Sequence, residues 1–200
     1  MKDDLGLDRY RSYLVLLARS AVGPRWARKF DPSDIVQETL LDGHRKRADL
    51  RGQTTAEVAA WLRTILCRNL ARARRDLRRA KRDLQREVPL EAALDRSSAR
   101  LHSLLPAGDS SPSGKAQRAE EALRLSRWLL ELAESQREAV TLTYLAGLSL
   151  EEAGAQLGRT PVAVASLVRR GLARLRELAR AADGREMRRI TSSSRSRRSS

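Results

Sequence analysis

Four side chains near the C-terminal end are best suited to chemistry: Ser166, Arg169, Arg170 and Arg174. At helical spacing they share one side of a helix. A guanidinium is permanently charged and presents a planar fork of donors, which fits phosphate oxygens and the major-groove edge of guanine. The chemistry is therefore recognition of a polyanion rather than bond making. The other side of the same helix carries Val164, Val168, Gly171 and Leu175, at spacings of four, three and four. An apolar back and a basic front is what a helix lying in a major groove needs.

The residues just upstream must hold that helix. Ser149 followed by Glu152 is a capping box: the Ser oxygen takes an orphan backbone N–H and the Glu reaches back. Gly158 stands where a first helix must stop. Thr160 and Pro161 supply a cap and a pre-set first helical residue for the second. Leu148–Arg174 thus reads as a helix-turn-helix.

A second basic block lies further upstream. From Arg63 to Arg86 there are ten Arg or Lys against two acids, Asp76 and Asp83. A long helix with this bias is an electrostatic surface for phosphates. The whole chain carries a net charge of +15 and has a pI near 11.3, which calls for a polyanionic partner, most simply nucleic acid.

Other chemistries are excluded or unsupported. Cys67 is the single cysteine, so neither an internal disulfide nor a thiolate zinc site can form. His44 and His102 are isolated, and no nucleophile–base pair or metal-ligand set stands out. The reading is of a protein that is not an enzyme and takes no metal and no cofactor. No run of about 18 apolar residues occurs, and the start MKDDLGLDRY is acidic where a secretory signal is basic. A reducing cytoplasm is the expected compartment.

Leu and Ala dominate, aromatics make up 4%, and Gly and Pro sit mostly at junctions, which predicts an all-α protein with small cores. Leu5–Ala21 reads as a helix, broken at Gly23-Pro24, with Trp26 and Phe30 as bulky apolar contacts beyond. Asp31 as cap, Pro32 and Asp34 open a second helix reaching about His44, with Ile35, Val36, Thr39 and Leu40 on one face. After a polar loop at Arg51–Thr55, a helix from about Ala56 to Gln85 carries the stripe Val58, Trp61, Leu62, Ile65, Leu66 and Leu70. Pro89, Pro106, Pro112 and a Gly/Ser run mark residues 88–115 as a flexible linker. Helices resume at about Ala116. The Arg/Ser-rich residues 182–200 are too polar to fold and are expected to be disordered. The expected organisation is two small helical domains, 5–87 and 116–181, joined by that linker.

DPSDIVQETL at Asp31–Leu40, then Leu50-Arg51-Gly52, then AWLRTILCRNL at Ala60–Leu70 resembles the region-two domain of bacterial RNA polymerase sigma factors of the extracytoplasmic-function group. These belong to the sigma-70 family. Gln136-Arg137-Glu138-Ala139 with Leu145–Arg176 resembles their region four. The likeness covers about residues 5–180, in order, and SDIVQETL with a later KRDLQREV is most similar to members abundant in planctomycetes.

The resemblance implies a specificity subunit that binds core RNA polymerase, through its beta-prime and beta subunits, and promoter DNA. An anti-sigma protein is a candidate further partner. Asp34, Ile35, Val36, Gln37 and Glu38 correspond to the segment that docks on the beta-prime coiled coil. Core packing is an equal alternative for Ile35 and Val36. Arg51, Gln53 and Thr54 correspond to a pocket for an unpaired base of the minus-ten element. Arg63, Arg68, Asn69 and Arg72 correspond to holders of its phosphates or bases. Trp61 lies on the apolar stripe, which favours core packing over base stacking. Thr160, Ser166, Arg169, Arg170 and Arg174 correspond to the surface that meets the minus-thirty-five element. Ala163 and Ala165 replace the family's frequent Thr and Lys, so promoter preference does not transfer. Gly154 and Gly171 each lower helix propensity by up to about 1 kcal/mol. The rival readings are an autonomous helix-turn-helix regulator and a basic structural or RNA-binding protein. DPSDIVQETL argues against both, since neither needs a polymerase-docking helix.

Overall fold

The computed structural model describes residues 6–22, 31–50, 52, 54–79, 89–105 and 112–196, with the backbone alone at 77–79, 112–113 and 183–196. Trp26, Phe30, the Gly23-Pro24 break, and the loop residues Arg51 and Gln53 lie outside the described residues. Among those described, the structure is all-α and contains no strand. A 3₁₀ turn, Leu7–Tyr10, leads into α1 (Arg11–Val22). Then come α2 (Pro32–Arg45), a second 3₁₀ turn (Arg47–Asp49), α3 (Thr55–Arg79) and α4 (Leu90–Ser103). α5 spans Pro112–Leu130, and α6 (Glu134–Val140) continues as a π-helical segment, Thr141–Ala146. α7 (Leu150–Leu157) and α8 (Pro161–Ser196) complete the chain.

The helix starts follow local chemistry. Asp31 caps α2 by accepting from the Ser33 N–H at 2.8 Å, and Pro32 occupies the first turn. That backbone hydrogen bond holds the Asp31 carboxyl below its usual range. Thr54 and Glu57 form a reciprocal pair at the start of α3. Glu57 Oε2 accepts from the Thr54 N–H at 3.0 Å, and Thr54 Oγ1 accepts from the Glu57 N–H at 3.3 Å.

α1 is buried on nearly every side: Tyr13, Leu14, Val15, Leu16, Leu17 and Ala18 are all in the core. α2, α3, α4, α5 and the π-helical segment pack around it. One apolar cluster therefore runs from Leu7 and Val36 through Leu62 and Leu70 to Leu94, Leu101, Leu129 and Leu145. A smaller cluster of Ala139, Leu142, Ala153, Val164 and Leu167 sits within the helix-turn-helix.

Two segments differ from expectation. The stretch 88–115, read as a flexible linker, carries α4. Leu90, Leu94 and Leu101 of this helix are buried in the main core, and its Ser98 hydroxyl lies 2.9 Å from the Tyr13 hydroxyl. Pro89 does not oppose this, because it sits at the cap position, where a missing N–H costs nothing. The tail expected to be disordered is helical in its backbone through Ser196. Extending a helix that is already nucleated fixes one residue per added hydrogen bond, so it needs little tertiary support. No helix among the described residues is long and apolar enough to cross a membrane.

Candidate nucleic-acid interface

The helix-turn-helix is held by the groups that mark it in the sequence. Ser149 Oγ accepts from the Glu152 N–H at 3.1 Å, and Glu152 Oε2 accepts from the Ser149 N–H at 2.8 Å. α7 ends at Gly158 with φ +64, and Thr160 Oγ1 accepts from the Ala163 N–H at 3.2 Å to start α8. The two glycines that weaken helix propensity are points of close approach. A Cβ on Gly154 would lie 2.6 Å from the Arg159 carbonyl oxygen, and one on Gly171 would lie 3.0 Å from Val140 Cγ2. They allow the turn and α6 to close on their neighbours, which offsets part of the propensity cost. Upstream, Arg100 of α4 donates to the Ala146 carbonyl at 2.5 Å and so caps the segment that enters the motif.

α8 divides as its periodicity requires. Val164, Leu167, Gly171 and Leu175 are buried, and Val168 packs half-buried against the smaller cluster. Arg169, Arg170 and Arg174 are exposed, Ser166 is half-exposed, and Thr160 is exposed beside them. Arg174 Nη1 pairs with Glu177 at 2.9 Å, whereas neither Arg169 nor Arg170 meets a carboxylate among the described residues. At 100° per residue, Arg169 falls within about 20° of the line opposite the buried stripe, Arg170 lies at its flank and Arg174 near its edge. Ser166, Arg169 and Arg170 share the outward side of the helix.

In the first half of the chain, α2 shows two faces. Ile35 and Val36 are buried in the core, so their side chains are not available to a partner. Asp34 and Gln37 are exposed, and Gln37 Oε1 accepts from Arg11 at 3.0 Å. Glu38 is paired with Arg72 of α3. Leu41 shares this outer face and is 47% exposed, a residue the sequence reading passed over. Its position, four residues past Gln37 and off the stripe of Ile35, Val36, Thr39 and Leu40, was the available signal.

The described members of the minus-ten set are not brought together. Thr54, Arg68 and Arg72 are at the surface. Asn69 is not: it is buried, and its amide donates to Thr39 Oγ1 at 3.3 Å and Asp42 Oδ2 at 3.2 Å, so it ties α3 to α2. Arg63 faces inward, donating to the Tyr13 hydroxyl at 3.0 Å and lying 3.4 Å from Asp95 Oδ1. Trp61 packs half-buried against the core. Asn69 is therefore an interhelical tie, because a buried polar group needs its partners inside the protein, and half-buried Arg63 ties α3 to α1 through the Tyr13 hydroxyl. Cys67 is half-buried, and burial followed by Glu91 and Asp95 pushes its thiol up, away from the nucleophilic thiolate. No cluster of His, Cys, Asp or Glu suited to a metal occurs among the described residues.

The family described as Sigma-70, region 4, matches residues 122–175, which include the helix-turn-helix. The chain is 32% identical over 176 residues to the ECF RNA polymerase sigma factor SigF of Caulobacter vibrioides, covering 88% of this chain and 82% of that one. A capped helix-turn-helix, within a likeness spanning both halves, places this chain among the extracytoplasmic-function sigma factors of bacterial RNA polymerase, a family of non-enzymatic transcription initiation factors.

Proposed function

We propose that this chain binds core RNA polymerase and directs it to promoters by meeting both the minus-ten and the minus-thirty-five elements. The observation that carries the reading is the pair of exposed guanidiniums of Arg169 and Arg170, without a carboxylate partner among the described residues, on a helix capped by Thr160. Arg169 reads a base edge, and Arg170 and Arg174 hold phosphates with Thr160 and Ser166 beside them. The outer face of α2, with Asp34, Gln37, Glu38 and Leu41, is the docking surface for polymerase. An exposed leucine ringed by polar residues suits a helical partner. Thr54, Arg68 and Arg72, with Arg51 and Gln53 of the preceding loop, meet the minus-ten strand.

Residues 5–87 and 116–181 act as the two lobes. Elements centred roughly 25 base pairs apart lie about 85 Å apart along the duplex. A compact chain of this length spans only about 40 Å. The packing of α1 against α4 and α5 therefore has to open when both elements are engaged. Transcription reconstituted from core polymerase with and without this chain, on a promoter library, tests the function. Selective initiation that depends on the chain supports it. Selective duplex binding by the free chain at physiological salt, without any effect on polymerase, favours an autonomous regulator.

A further inference from the structure

Val162 is 80% exposed, the most exposed large apolar side chain among the described residues. It stands at the second position of α8, directly after Pro161. At helical spacing Val162, Ser166, Arg169 and Ala173 form a single stripe, opposite the buried Val164, Leu167, Gly171 and Leu175. Val162 thus occupies the N-terminal end of the row that holds Arg169. The first turn of α8 is Pro161, Val162, Ala163 and Val164, with no charged side chain. Any side-chain contact that this turn makes with a base is apolar.

We propose that Val162 selects a thymine in the minus-thirty-five element by packing its isopropyl group on the thymine C5-methyl. This rests on the reading of α8 as the helix that enters that element. The N-terminal residues of such a helix lie nearest the base edges. The C5-methyl of thymine is the apolar mark that a major groove presents. Adenine and guanine put the N7 acceptor there, which a valine covers without replacing its water, and cytosine puts a bare C5–H that gives the valine no methyl to pack on, so all three are disfavoured. Contact is favoured and mismatch disfavoured by the same side chain.

The test uses holoenzyme, formed from the full chain and core polymerase, on a promoter recovered from a library randomised in the minus-thirty-five element. Each thymine of that element, on either strand, is replaced in turn by deoxyuridine, which removes the methyl and nothing else. One replacement is expected to lower initiation about three- to fivefold, the value of one buried methyl group. Val162→Ala should abolish that difference at that position and leave the response to the guanine facing Arg169 unchanged. Val162 is exposed, so the thermal midpoint of the variant should match that of the parent. A recovered element without thymine, the absence of any deoxyuridine effect, or an effect undiminished in Val162→Ala overturns the proposal. If full base substitutions in the element also fail to change initiation, the reading of α8 falls with it. If they do change initiation, the role of Val162 alone falls.

Discussion

The α-carbon of Gly154 in α7 faces the carbonyl oxygen of Arg159 so closely that a Cβ there would lie 2.6 Å from it. The contact is with backbone, so relief requires moving the turn and, with it, α8. Gly154→Ala gains up to about 1 kcal/mol in helix propensity. Overpacking against a fixed neighbour costs about 1–3 kcal/mol. The expected result is net destabilisation and weaker promoter selectivity, measured by thermal unfolding and by transcription. A raised melting temperature with selectivity intact would contradict this.

Asn69→Ala separates a core role from a base-reading one. It removes a buried amide that serves Thr39 and Asp42, at an expected cost of about 1–3 kcal/mol. At a temperature where the variant is folded, promoter opening should be normal. A loss of opening in a variant of parental stability would return Asn69 to the DNA.

Much of the motif was legible because its determinants are local. Ser149 with Glu152, Gly158, and Thr160 with Pro161 act on backbone groups within a few residues, so type and spacing were enough. α4 was hidden because two of its inward residues are polar. Ser98 pairs with Tyr13 and Ser97 donates to the Leu145 carbonyl, partners 85 and 48 positions away. A Ser pair between prolines looks like a linker until those partners are known. Arg63 and Asn69 misled in the same way: each is polar on a basic helix, and each reaches a partner on another helix. The glycines at 154 and 171 looked like weaknesses because the atoms they make room for come from the turn and from α6.

His102 predicts a pH dependence. Burial, then the charges of Arg118 and Arg63, hold its pKa below the ordinary value of 6.5. Asp95 and Lys115 line the same cleft. As the pH falls through the unfolded value, the unfolded chain takes up a proton that the folded chain resists. Stability is therefore full above that pH and declines below it. Urea midpoints at about pH 7.5 and about pH 5.5 should differ in the parent and differ less in His102→Gln. An equal difference in both would remove His102 as the cause. Asp31 and Glu120, whose carboxyls are also held low, act only at more acidic pH.

Opening of the packed lobes is measurable by energy transfer. Dyes at Ala48→Cys and Glu151→Cys, with Cys67→Ser, label exposed positions in the two halves. Transfer should fall when core polymerase is added and fall further with promoter DNA. Transfer unchanged by polymerase would mean that the packed form is the working form.

Promoter ranking with altered recognition helices tests the central claim most directly. Holoenzymes carrying the parent chain, Arg169→Ala or Arg174→Ala transcribe a set of promoters, each with one base pair of the minus-thirty-five element changed. Arg169 lies opposite the buried stripe and is unpaired among the described residues. Its loss should remove about 1–3 kcal/mol of discrimination at one base position and leave the others ranked as before. Arg174 lies at the edge and is paired with Glu177. Its loss should weaken all promoters about equally and lower the salt slope by about one. If Arg169→Ala leaves the ranking unchanged, Arg169 is not a base reader and the central claim fails.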